Sequence, residues 1–168
     1  MTQALNCPQP EVAGSACRQC STCLRIERMQ HPDLNVLQAE QIGGTLKVDQ
    51  IRELLRGLFL APYEAKHKIA LLLRFEEANP SAANALLKTL EEPPRQVKIF
   101  LTAQDAEALL PTIVSRCELI HLRPLSLEKV NQGLQNLWDI PPDQAHLLAH
   151  LSNGRPGYAL RLYQNPEI

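Results

Sequence analysis

The sequence predicts an α/β protein built on a parallel sheet and closed by a cluster of helices. Three observations predict it. The apolar runs Lys68–Leu73 and Val97–Thr102 flank one helical segment, Asn79–Pro94, and strand–helix–strand at this spacing is a parallel βαβ unit. A further strand-like run, Leu34–Leu37, precedes an amphipathic stretch, Lys47–Leu60. Beyond residue 124 the strand pattern ceases and three short helical stretches follow. The expected division is therefore an α/β part over 1–124, carrying a cysteine-rich module at 7–31, and a helical part over 125–168.

The central helix carries its own punctuation. Asn79 suits an N-cap, Pro80 the first helical position, and Pro93-Pro94 the stop. Leu86, Leu87 and Leu90 recur at helical spacing. In Lys47–Leu60, Val48, Ile51, Leu54, Leu55 and Leu58 form a stripe of period 3.6. Gly43-Gly44 marks the loop before it, and Ala61-Pro62 ends it. Ala106–Leu110 reads as a short helix, and Glu118–Leu122 as a final strand. Ser126 caps the first C-terminal helix, Pro141-Pro142 opens the second, Asn153-Gly154 ends it, and Gly157–Gln164 forms the third.

With 168 residues the chain can bury a core of its own, and a net charge of −1 argues against a protein that coats nucleic acid by bulk electrostatics. No apolar run approaches the ~20 residues of a membrane span. The start, Met-Thr-Gln-Ala-Leu-Asn, lacks the charged and apolar regions of a signal peptide, so a cytoplasmic protein without a membrane partner is expected.

Four of the five cysteines are Cys7, Cys17, Cys20 and Cys23. The C-x-x-C-x-x-C run sets three sulfurs on one tight turn. The intervening loop, with Pro8, Pro10 and Gly14, can fold back to bring the fourth. In a cytosolic chain this spacing favours a metal over disulfides. Four thiolates suit a structural zinc with no open position. An iron–sulfur site uses the same donors, and free thiols are the third reading. His31-Pro32-Asp33 follows. The same tripeptide occurs in J-domain cochaperones between two helices, but here it leads into a strand, and His31 reads as structural.

Neither G-x-x-x-x-G-K-[ST] nor any other Gly-rich phosphate loop occurs in the sequence. Ser115-Arg116-Cys117 places a permanent, bidentate cation after a turn. Taken alone, such an arginine reads as an exposed or salt-bridging side chain.

Asn84-Ala85-Leu86-Leu87-Lys88-Thr89-Leu90-Glu91-Glu92-Pro93-Pro94, followed by Ser115-Arg116-Cys117, resembles the clamp-loader branch of the AAA+ ATPases. That group includes the delta-prime and gamma/tau subunits of bacterial DNA polymerase III. Nearly the whole chain can be laid along it, most readily along delta-prime. The resemblance implies a P-loop-NTPase-like parallel sheet, here without its first strand and P-loop, with an inserted zinc module and a three-helix lid. It supports zinc (Zn2+) at Cys7, Cys17, Cys20 and Cys23. It assigns Arg116, beside Ser115, as an arginine finger reaching the ATP of a neighbouring subunit. At the end of the Lys68 strand, where the ATPases carry Mg2+-binding acids, stand Leu73 and Arg74. Glu76 and Glu77 follow out of register and read as solvated. Ala103 or Gln104 stands where a γ-phosphate sensor belongs. Gly157 stands where a second sensor arginine belongs, with Arg155 near it.

The expectation is a chain that binds no ATP of its own. It would act with gamma/tau and delta subunits, and through that assembly with the sliding clamp and primed DNA. It reads as a member shortened at the N-terminus and without the C-terminal collar. Two alternatives are an ATPase fragment of gamma/tau type and a stand-alone zinc-binding nucleic-acid adaptor. Leu73 and Arg74 count against the first; the near-neutral charge and the lack of interleaved aromatics count against the second.

Overall fold

The computed structural model describes residues 1–10 and 12–165. It divides into two compact units, Met1–Leu119 and Ile120–Ile168.

The first unit carries a three-stranded parallel sheet in the order β1 (Leu34–Leu37), β2 (Lys68–Leu72), β3 (Val97–Leu101). Leu34 lies opposite Ile69, and Ile69 opposite Lys98. The central strand is covered on both faces, so its sequence is nearly continuous in apolar residues instead of alternating. One face packs on α3 (Val48–Leu58) and α4 (Pro80–Glu91), around Ile51, Leu58, Leu72, Leu86 and Val97. The other meets α1 (Thr2–Asn6) and α2 (Ser21–Glu27), through Leu5, Ile26, Leu34 and Ile69. A short 3-10 turn, Ala106–Ala108, leads to α5 (Pro111–Val114).

The start of α4 forms as its sequence dictates. The Asn79 carboxamide oxygen accepts the Ala82 N–H at 2.8 Å, and Pro80 opens the first turn. At the other end of α3, buried Lys68 donates from Nζ to the carbonyls of Gly57 (2.9 Å) and Leu60 (3.1 Å). A cation at the negative end of a helix satisfies groups the helix cannot pair itself.

Buried Asp33 fastens the next loop. Its carboxylate accepts N–H groups from Tyr63 (2.6 Å), Glu64 (2.9 Å) and Ala65 (2.9 Å). Burial pushes its pKa up, but these three donors outweigh that and hold it below the usual carboxylate range. An acid whose folded pKa is depressed stabilises the fold at neutral pH, and that contribution is lost as pH falls through the folded value. Asp33→Asn is expected to cost about 2 kcal/mol at pH 7 in urea unfolding, with a smaller difference from wild type in acid.

The sequence-based strand at Glu118–Leu122 is not formed. Leu119, Ile120 and Leu122 are exposed (50%, 58% and 92%), and the three-stranded sheet takes no fourth strand among the described residues. A short apolar run becomes a strand only when a neighbour pairs its backbone, and neither β1 nor β3 does so here. Helix α2, in turn, was expected only as a tight turn.

The second unit is three helices, α6 (Leu127–Trp138), α7 (Pro142–Leu151) and α8 (Pro156–Gln164). They enclose Val130, Leu134, Ile140, Ala145, Leu148 and Ala159. Ser126 caps α6 by accepting the Lys129 N–H. Gly154 sits at φ +78°, and a Cβ there would lie 2.5 Å from the Leu125 carbonyl oxygen and 2.7 Å from Cβ of Pro124. Its own carbonyl accepts the Leu125 N–H at 2.9 Å. Gly154→Ala therefore meets both a disfavoured conformation and a backbone clash. The expected cost is about 2–3 kcal/mol, read as a lowered thermal midpoint of the second unit.

Candidate functional site

The four cysteines converge. The Sγ atoms of Cys7, Cys17, Cys20 and Cys23 all lie within 4.8 Å of one another, and all four thiols are free. Cys17 and Cys23 sulfurs are 3.9 Å apart. Four thiolates at ~2.3 Å from a tetrahedral zinc stand about 3.8 Å from each other, so the cluster is sized for that ion. Backbone N–H groups already point at the sulfurs: Cys17 N to Cys7, Cys20 N to Cys17 and Cys23 N to Cys20, each at 3.4 Å. The last of these is also the N-cap of α2, so Cys20 both caps the helix and belongs to the cluster.

The environment splits two of the thiols. Backbone N–H donors at Gln19 and Cys20 bring Cys17 down to about 6, so it is largely thiolate at neutral pH. Burial pushes Cys23 up to about 12. A metal entering the cluster finds one anion prepared and must displace the proton of another. Cys117 stands apart; burial raises its thiol, and it packs against the sheet core as a small half-buried side chain.

His31 is buried, and its Nδ1 accepts the Asp33 N–H at 3.2 Å. It shapes the turn into β1, as the sequence predicts.

Arg116 lies one residue beyond the C-cap of α5. Its Nε donates to Oε1 of Glu91 at 2.8 Å. Its Nη1 donates to the Thr112 carbonyl at 2.8 Å and approaches the Ser115 hydroxyl at 3.3 Å. The sequence placed Ser115 and Arg116 together; Glu91, from the end of α4, escaped it. The only signal was an acid at the negative pole of a helix, which wants a cation nearby.

At the carboxyl ends of the strands, Leu73 donates its N–H to the Leu37 carbonyl. Arg74 holds a left-handed backbone, φ +49°. Its N–H goes to Thr102 Oγ1 at 3.0 Å, its Nε to Glu77 Oε1 at 2.9 Å and its Nη1 to Gln38 Oε1 at 3.4 Å. One arginine thus ties the ends of all three strands. Glu77, expected as solvated, is instead only 10% exposed at its side chain and also accepts the Gly43 N–H at 2.8 Å. The Gly43 N–H and Arg74 hold its carboxyl below the usual range. The i,i+3 spacing of Arg74 and Glu77 was the readable sign of this pair. Ala103, Gln104 and Arg155 are exposed, and Arg155 stands at the N-cap of α8 without a side-chain cap bond.

The family model described as DNA polymerase III, delta subunit, matches residues 1–126. The chain belongs to this family. Among curated relatives, the DNA polymerase III subunit delta' of Pseudomonas aeruginosa is 37% identical over 95% of this chain and 48% of its own length. That of Bacillus subtilis is 32% identical over 94% of the chain and 47% of its own. The tau subunit of Escherichia coli is also 32% identical, over 96% of the chain and 25% of its own length. The chain is delta-prime-like, and it spans about half the length of the delta' relatives it matches. A solved DNA polymerase III gamma-subunit-related protein of Thermotoga maritima is 26% identical, with a TM-score of 0.53 over 80% of the chain and 49% of its own. RuvB of the same organism is alike in fold, with a TM-score of 0.61 at 15% identity over 85% of the chain and 47% of its own. No helix among the described residues is long and apolar enough to cross a membrane.

Proposed function

We propose that the chain is a delta-prime-like clamp-loader subunit of DNA replication that lends a cation to a neighbour's ATP and hydrolyses none itself. The observation that carries this reading is a reversal of charge. The strand end where an ATPase needs carboxylates for Mg2+ holds Leu73 and Arg74. Meanwhile Arg116 stands one residue past the C-cap of α5, exposed, in a Ser-Arg-Cys sequence. In this reading Arg116 stabilises charge developing on a γ-phosphate bound by the next subunit, and Ser115 steadies it.

The partners are gamma/tau and delta subunits, with the sliding clamp and primed DNA met through the assembly in the cytoplasm. Residues 1–124 form the α/β part and 125–168 the lid. Zn2+ would be held by Cys7, Cys17, Cys20 and Cys23, where it supplies a structural cross-link for the module at 7–31. The relatives include delta' subunits at 32–37% identity, which supports the assembly. The gamma/tau ATPase reading is disfavoured by Leu73 and Arg74, which stand where Mg2+ would need carboxylates.

Co-elution tests this. The full chain, mixed with purified gamma/tau and delta subunits, is expected to move with them in gel filtration at micromolar concentration. Separate elution contradicts the assembly.

A further inference from the structure

Arg116 is held within its own chain. Nε donates to Glu91 Oε1 at 2.8 Å, and Nη2 lies 2.5 Å from the same oxygen. Nη1 reaches the Thr112 carbonyl and the Ser115 hydroxyl. Three of the five guanidinium N–H donors are thus spent inside the chain, on Nε and Nη1, and Nη2 adds an ion pair to the same Glu91 oxygen. A guanidinium in this state cannot offer the two parallel donors that grip a phosphate. Glu91 is the last residue of α4, where its charge adds to the negative pole of the helix. It is therefore a natural holder for a cation. The hold is shallow: the two side chains are 33% and 49% exposed, and exposed ion pairs are weak.

From this we infer that Glu91 is a latch that parks Arg116, and that the finger acts only after letting go of Glu91. The inference rests on the reading of Arg116 as a finger and adds its regulation. A neighbour's triphosphate, carrying several charges and bidentate acceptors, outcompetes one exposed carboxylate once it is within reach. Until then Glu91 keeps the guanidinium folded against α5. Glu91 is a positioning residue; it touches no nucleotide.

Two readouts test it. In the full chain alone, phenylglyoxal modification of Arg116, followed by mass spectrometry, is expected to be about two- to five-fold faster in Glu91→Gln, the factor an exposed pair supplies. Glu91→Asp is expected to restore most of the protection. An unchanged rate in Glu91→Gln overturns the latch. In a reconstituted loader, Glu91→Gln is expected to raise the neighbour's unstimulated ATP hydrolysis by a similar factor, and to have no effect when combined with Arg116→Ala. A fall in hydrolysis, or an equal rise in the Arg116→Ala background, overturns the latch while leaving the finger standing. Hydrolysis insensitive to Arg116→Ala removes the finger reading itself, even where the phenylglyoxal result shows the pair to exist.

Discussion

Loss of metal from the four-cysteine centre is expected to unfold the segment around it. Little else holds that segment. Helix α2 has seven residues, too few to persist alone, and its buried side chains are Cys23 and Ile26 only. One of those two belongs to the cysteine cluster. Among the described residues, the loop from Cys7 to Cys17 contributes none to the buried apolar core. Structural zinc in small modules contributes an apparent ~10–16 kcal/mol at neutral pH, far more than a few hydrophobic contacts around α2 can supply. A strong chelator, or Cys20→Ser, is expected to abolish hydrogen-exchange protection over residues 17–28 and to lower the melting midpoint by roughly 10 °C or more. Ile26 packs on Leu34 and Ile69, so the damage reaches one face of the sheet. Metal affinity is expected to fall with falling pH, because Cys23 starts protonated and protons compete for its sulfur. Elemental analysis showing no bound zinc, together with protection unchanged by chelator, contradicts this account.

Much of this organisation is legible in the sequence, because local chemistry and global fold agree there. Asn79, Pro80 and the double proline mark α4 to the residue at its start, and the apolar run of β2 announces a strand covered on both faces. The cysteine spacing pointed to the cluster because three of its cysteines lie within seven residues. What remained hidden depends on partners distant in sequence. Glu118–Leu122 has a strand's residues and no paired neighbour. Glu77 looks solvated until the Gly43 loop, 34 residues away, folds over it. Asp33 reads as part of a loop tripeptide, yet its role is fixed by N–H groups 30 to 32 residues on. Glu91 belongs to the same sequence stretch as the Lys88 helix face, and only the return of the chain at α5 shows that it holds Arg116.

Arg116→Ala carries the largest expected functional effect. A positioned arginine stabilises charge spread over the transferring phosphoryl oxygens and in other NTPases contributes about 10³–10⁵ in rate. The group acts where charge develops, so its removal lowers turnover while ground-state nucleotide affinity changes little. A mere surface ion pair would behave differently: breaking it costs about 0–1 kcal/mol of stability and leaves a partner's chemistry untouched. Arg116→Lys is expected to rescue only partly, because an ammonium lacks the planar fork that meets two oxygens at once. The most direct measurement is single-turnover ATP hydrolysis by a reconstituted clamp loader carrying this chain in the delta-prime place, wild type against Arg116→Ala, with assembly and ATP affinity checked in parallel. The account predicts a loss of about a thousandfold at the neighbouring site with assembly and affinity intact. Equal rates in the two assemblies would contradict it and leave Ser115-Arg116-Cys117 as a structural element held to Glu91.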